Sequence, residues 1–199
     1  MNASDTRDWM QRFFVAFDRE QQALTDLDRR SGDGDFGANL RSALGRARNA
    51  LETTETATPG DVLDVVSTAF LNTGGTSGPL FGMWFRELAK ATRIEAIGVA
   101  DLARGFADAT ATVQRLGGAN PGDKTMVDAM VPATEALAAA SGSLDDALTA
   151  AAAAARSGAD ATADLLARRG RASYVGEVAR GVLDPGAVTV ALLIETARP

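Results

Sequence analysis

Apolar residues in this chain recur at three- and four-residue spacing, and glycine-bearing breaks cut the runs at short intervals. Residues 6–28 carry Trp9, Phe13, Phe14, Phe17, Leu24 and Leu27 at a helical period. Residues 36–51 repeat it with Leu40, Ala43, Leu44, Ala47 and Ala50. A third helix opens at Thr58-Pro59, with Thr58 as N-cap and proline in the first turn. The spacing predicts further helices from Leu80 onward and over 99–116 and 124–139. A seventh spans 143–169, with Ser143 as N-cap and Gly158 as a point for a kink. A last helix starts at Asp184-Pro185-Gly186 and runs to Ala197. No alternating run is long enough to argue a sheet. The expectation is an all-α chain: about eight antiparallel up-and-down helices in a closed barrel or bundle, forming a single domain over residues 1–199.

The order of the breaks says more than any one of them. Glycine-bearing loops fall at 32–37, 74–78, 117–122 and 181–186. They follow the first, third, fifth and seventh helices. In an up-and-down arrangement alternate connections lie at the same end, so these four meet. The connections at 52–59, 92–98 and 140–143 join the other end and read as ordinary linkers. A ligand site is therefore expected at the glycine-rich end.

The first of these loops is strongly acidic. Asp28, Asp33 and Asp35 fall within eight residues, with Asp26 nearby and Gly32, Gly34 and Gly37 around them. Carboxylates this close repel one another unless a cation neutralises them, and oxygen donors suit a hard divalent ion such as Mg²⁺. A solvated turn is the competing account. An EF-hand does not fit, because the twelfth position counted from Asp33 is Leu44 instead of glutamate. The 118–125 segment is not a Walker loop, because Asp123 separates Gly122 from Lys124 and no strand precedes it. Lys124 itself invites two accounts, a catalytic cation or a helix-start salt bridge to Asp123 or Asp128.

Composition removes several chemistries. The chain has no cysteine and no histidine. Thiol nucleophiles, Ser-His-Asp triads, His-ligated zinc and phosphohistidine chemistry are excluded for its own side chains. A net charge of −6 argues against nucleic acid and anionic membranes as partners. No stretch is apolar enough to span a bilayer and the first residues are polar, so a cytoplasmic location is expected.

Five motifs, in order, resemble the nucleotide-binding L subunits of dihydroxyacetone kinases. They are Leu27-Asp28 with Gly32-Asp33-Gly34-Asp35-Phe36-Gly37 and Asn39; Gly74 to Gly82; Gly122-Asp123-Lys124-Thr125-Met126 with Asp128; Gly170 to Tyr174; and Asp184-Pro185-Gly186-Ala187. The resemblance implies an eight-helix barrel with ADP or ATP at one end. It implies two Mg²⁺ ions held by Asp28, Asp33 and Asp35. It implies nucleotide contacts from Phe36, Gly37, Ala38, Asn39, Thr76, Ser77, Gly117, Met126, Arg171, Asp184, Pro185 and Gly186. The family's acceptor sits on a separate K subunit, which holds the triose on its own histidine. The absence of histidine here agrees with that division, and no catalytic residue is assigned to this chain. A phosphotransferase-system M subunit, a homodimer and a four-carbon ketose are further family options. A module of a fatty-acid kinase and a non-catalytic regulator are the alternative functions. The chain departs from the family at Phe36, where histidine is common, and over 177–183, ahead of Asp184.

Overall fold

The computed structural model describes residues 1–197. Eight α-helices account for most of them: α1 (Ala3–Ser31), α2 (Phe36–Thr53), α3 (Pro59–Leu71), α4 (Ser77–Ala91), α5 (Val99–Gly117), α6 (Val127–Ala139), α7 (Leu144–Ala161) and α8 (Pro185–Glu195). Each helix packs on the next in the chain, and α8 packs back on α1. The ring is closed. The helices have local reasons to start where they do. Asn2 with Asp5, Thr58 with Asp61 and Ser143 with Asp146 each form a capping box, which satisfies backbone N–H groups that would otherwise lack partners. Asp184 caps α8 by accepting from the Ala187 amide at 2.7 Å, ahead of Pro185 in its first turn.

The inside of the ring is aromatic on one side and alanine-rich on the other. Trp9, Phe13, Phe14 and Phe17 of α1 are fully buried, as are Phe70, Phe81, Trp84, Phe85 and Phe106. Phe70 stacks on Phe85 at 5.5 Å, and Trp84 meets Phe106 edge-on at 5.0 Å. Ala147, Ala151, Ala152, Ala155 and Ala159 line the inner face of α7, where small side chains let α6 and α8 approach closely.

The helix order matches the sequence reading, with corrections at the ends. The first helix begins earlier, because the Asn2 capping box starts it. The sixth begins at Val127 and not at Lys124, because Lys124 has a left-handed backbone, φ 60°. The seventh ends at Ala161, well short of Arg169. There the Thr162 hydroxyl donates to the Ala159 carbonyl and accepts from the Asp184 amide. The chain leaves the helix through a 3-10 turn at Thr162–Asp164 and crosses the end of the ring, with further 3-10 turns at Arg171–Tyr174 and Gly176–Ala179.

Gly158 does not interrupt α7. A β-carbon there would strike the Asp128 carbonyl and come within 2.9 Å of the Pro132 ring. The glycine is required by the α6–α7 contact, and the helix runs straight through it. Gly158→Ala is expected to destabilise the fold by about 1–3 kcal/mol through overpacking, read as a lower urea midpoint. An unchanged midpoint would mean the two helices are not pressed together there.

Candidate functional site

The connections after α1, α3, α5 and α7 meet at one end of the ring, and a cleft opens among them. Its inner part, about 140 Å³, is lined mainly by apolar groups, including Leu80, Val113, Ala119, Met126, Val127 and Pro185. Its outer part, about 310 Å³, is lined by Asp28, Asp33, Asp35, Asn39, Gly74, Gly75, Thr76 and Ser77, with Phe36 and Arg171. Asp28, Phe36, Thr76, Ser77 and Arg171 border both. The cleft is thus apolar at one end and acidic and hydroxyl-rich at the other.

Each wall is held from below. The α1–α2 turn is closed by Asp28, which is buried and accepts from the Phe36 amide at 2.9 Å. Gly34 takes φ 80°, which lets the acidic loop reverse within four residues. The α3–α4 turn is anchored by Arg46, which donates to the carbonyls of Ala69 and Asn72 and to the Thr73 hydroxyl. It leads into α4, whose N-cap residue Thr76 makes no side-chain cap bond. The first amides of α4 carry the positive end of a helix dipole, the usual way a helix start receives an anion. The α5–α6 turn is tied by Asp128, which accepts from the amides of Gly122 and Thr125 at 2.5 and 2.7 Å.

The electrostatics are unbalanced at two points. Burial pushes the Asp28 carboxyl up from its ordinary value, and the neighbouring Asp33 and Asp35 push it further, against the Phe36 amide. Asp33 turns to the Arg171 guanidinium, Nε to Oδ2 3.2 Å. Among the described residues no three acidic side chains gather into a ready-made metal cluster, as mutual repulsion dictates for carboxylates on one wall. The all-oxygen donor set on that wall still has the chemistry of a Mg²⁺ site. Asp184 is pushed up to about 7, first by burial and then by Asp128, against the Ala187 amide and Lys124.

Of the nucleotide contacts expected from sequence, Phe36, Asn39, Thr76, Ser77, Gly117, Met126, Arg171, Asp184, Pro185 and Gly186 all border the cleft. So do the three aspartates. Gly37 and Ala38 do not. They sit in the first turn of α2, where Gly37 lets the helix press on Thr25 and the Gln21 carbonyl of α1. Asp26 points away and pairs with Arg29 on the surface. Two residues outside the motifs, Ser31 and Arg169, also line the cleft, as do Lys124 and Thr125 from within the third motif. Arg169 is positioned by donating to the Gly118 carbonyl at 2.8 Å. The Lys124 geometry is not that of a helix-start salt bridge. The residue is buried and donates to the carbonyls of Thr162 and Val182, and among the described residues it pairs with no carboxylate.

A DAK2 domain model matches residues 30–198. The chain belongs to the DAK2 domain family. It is 38% identical over 192 residues to the ADP-binding subunit DhaL of the PEP-dependent dihydroxyacetone kinase of Escherichia coli, covering 94% of this chain and 91% of the relative. It is 40% identical over 197 residues to a D-erythrulose kinase of Mycolicibacterium smegmatis, covering 91% of this chain but only 34% of that longer polypeptide. The structure superposes on the dihydroxyacetone kinase of C. freundii in complex with AMP-PNP and Mg²⁺ with a TM-score of 0.72 and 26% identity, over 98% of this chain and 33% of that one.

The raised Asp184 carboxyl has a sign that can be tested. Unfolded, the group releases its proton near 3.8; folded, near 7. Between those values the folded state binds more protons, so this group's contribution to stability falls as pH rises from about 4 to 7. Asp184→Asn keeps an N-cap side chain and removes the titration. The variant should gain stability relative to the parent across that window, measured by denaturant titration of metal-free protein. Parallel pH profiles would contradict the assignment.

Proposed function

We propose that this chain is the nucleotide-binding subunit of a ketose kinase of the dihydroxyacetone kinase type, with residues 1–199 acting as one nucleotide-binding unit in the cytoplasm. The observation that carries this is the two-sided cleft. Its apolar inner part suits a base, and its outer part brings three carboxylates, the Thr76 and Ser77 hydroxyls and the α4 N-terminus onto one phosphate-sized wall. Met126 and Pro185 flank the base, with Gly117 and Gly186 giving it room to approach. Asp28, Asp33 and Asp35 would hold two Mg²⁺ ions, which offset the phosphate charge and polarise the phosphoryl group when bound.

The chain's own residues then position ATP. Thr76, Ser77 and the α4 amides donate to phosphate oxygens, and Asn39 stands at the same wall. Arg171 leaves Asp33 for the phosphates, where a planar guanidinium binds two oxygens at once. The terminal P–O bond to ADP breaks, and a new P–O bond forms to a hydroxyl oxygen of the ketose. The hydroxyl proton leaves to a base beside the sugar on the K subunit. The sugar is dihydroxyacetone or a four-carbon homologue, held on a separate K subunit. The full-length relatives are named as PEP- or PTS-dependent. That supports a phosphocarrier M subunit as the partner that recharges bound ADP.

The rim of the cleft supports a docked partner. The crossing segment that carries Arg171 also exposes two large apolar groups to solvent, Tyr174 (84%) and Val178 (73%). An aromatic anchor ringed by apolar neighbours is a common centre of protein contact.

Two outcomes test this. Asp33→Asn should weaken ADP binding in Mg²⁺ by roughly tenfold or more, with little change in metal-free solution. Equal affinity in isothermal titration would sink the metal assignment. Tyr174→Glu should raise the Kd for the K subunit and leave ADP affinity unchanged. Undiminished association would place the contact elsewhere.

A further inference from the structure

Lys124 combines three properties that ordinary loop lysines lack. It is 1% exposed. Its backbone is left-handed, and it is the one non-glycine residue of that kind among the described residues. Its ammonium is spent on two main-chain oxygens, the carbonyls of Thr162 and Val182, the latter at 2.6 Å. Burial lowers its pKa, and the charges of Asp184, Asp128 and Asp164 work against that. Burying an ammonium and straining a backbone both cost stability, and such costs concentrate where a site needs a fixed shape.

The two carbonyls belong to the ends of one loop. Thr162 is the residue where α7 stops, and Val182 lies two residues before the α8 cap. Other bonds close the same frame. The Asp184 amide donates to the Thr162 hydroxyl at 2.9 Å, and the Gly181 amide donates to the Ala163 carbonyl at 2.8 Å. The Arg168 amide reaches back to the Asp123 carbonyl, beside Lys124. The crossing segment 163–181 is therefore pinched at its base, and the pinch delivers Asp184, Pro185 and Gly186 to the apolar end of the cleft. There Gly186 lies against Met126, with 3.3 Å between the Met126 β-carbon and the place a Gly186 β-carbon would take.

We propose that Lys124 and Thr162 are positioning residues that set the base-side wall of the nucleotide cleft, and that they act through the 182–186 turn without touching the phosphates. The proposal rests on the nucleotide reading above. It separates two halves of one ligand. Inorganic pyrophosphate with Mg²⁺ occupies only the acidic end, whereas ADP also needs the wall that Lys124 braces.

Lys124→Met keeps the length of the side chain and removes its donors. Its ADP affinity should fall by roughly tenfold while Mg²⁺-pyrophosphate affinity stays within about twofold. Thr162→Val removes the hydroxyl that holds the Asp184 amide and should show the same split. Thr162→Ser keeps that hydroxyl and should retain native ADP affinity. If Lys124→Met does not fold, the threonine pair carries the test. Unchanged ADP affinity in the folded variants would overturn the proposal. So would an equal loss for ADP and pyrophosphate, which would mark a general loss of structure. If the native protein itself binds pyrophosphate but gains nothing from the nucleoside of ADP, the nucleotide reading fails together with the proposal.

Discussion

At three helix pairs, α1–α2, α3–α4 and α6–α7, glycine lets main chain approach main chain, and the tight ring depends on that closeness. Gly37 meets the Gln21 carbonyl, Gly60 the Ala89 carbonyl, Gly82 the Leu71 amide and Gly158 the Asp128 carbonyl. Each contact leaves no room for a β-carbon. Helices this close and joined by short turns must alternate in direction. Alternation in turn sends every odd-numbered connection to one end. The site is a consequence of the packing, assembled from four loops far apart in sequence.

At that end the chain divides labour along the cleft. The acidic wall is electrostatically incomplete by itself: Asp28 is pushed up by burial and by its neighbours, and Asp33 borrows the Arg171 charge from across the cleft. A divalent ion and a phosphate together would resolve both, the first by neutralising the carboxylates and the second by receiving the guanidinium. The apolar wall is complete, because Lys124, Thr162 and the Asp184 cap hold it in place.

Much of this is legible in the sequence. Helix periodicity and caps such as Thr58 and Ser143 located the elements, and the order of the glycine loops located the site. What could not be read were features set by tertiary bonds. The early end of α7 depends on a hydroxyl that bridges to Asp184, more than twenty residues on. Gly158 looked like a kink because its contact partner lies on another helix. Gly37 and Ala38 sat inside a binding motif, yet the motif's glycine serves the α1–α2 contact. Lys124 was ambiguous because its partners are main-chain oxygens, which carry no sequence signature.

The central claim is that the four odd connections form one nucleotide site. Hydrogen–deuterium exchange with and without ADP and Mg²⁺ tests it directly. Protection is expected in all four segments, 32–37, 72–78, 117–126 and 170–186, and none at 54–58, 92–98 or 140–143. Protection confined to the acidic loop, or appearing at the opposite end of the ring, would contradict it.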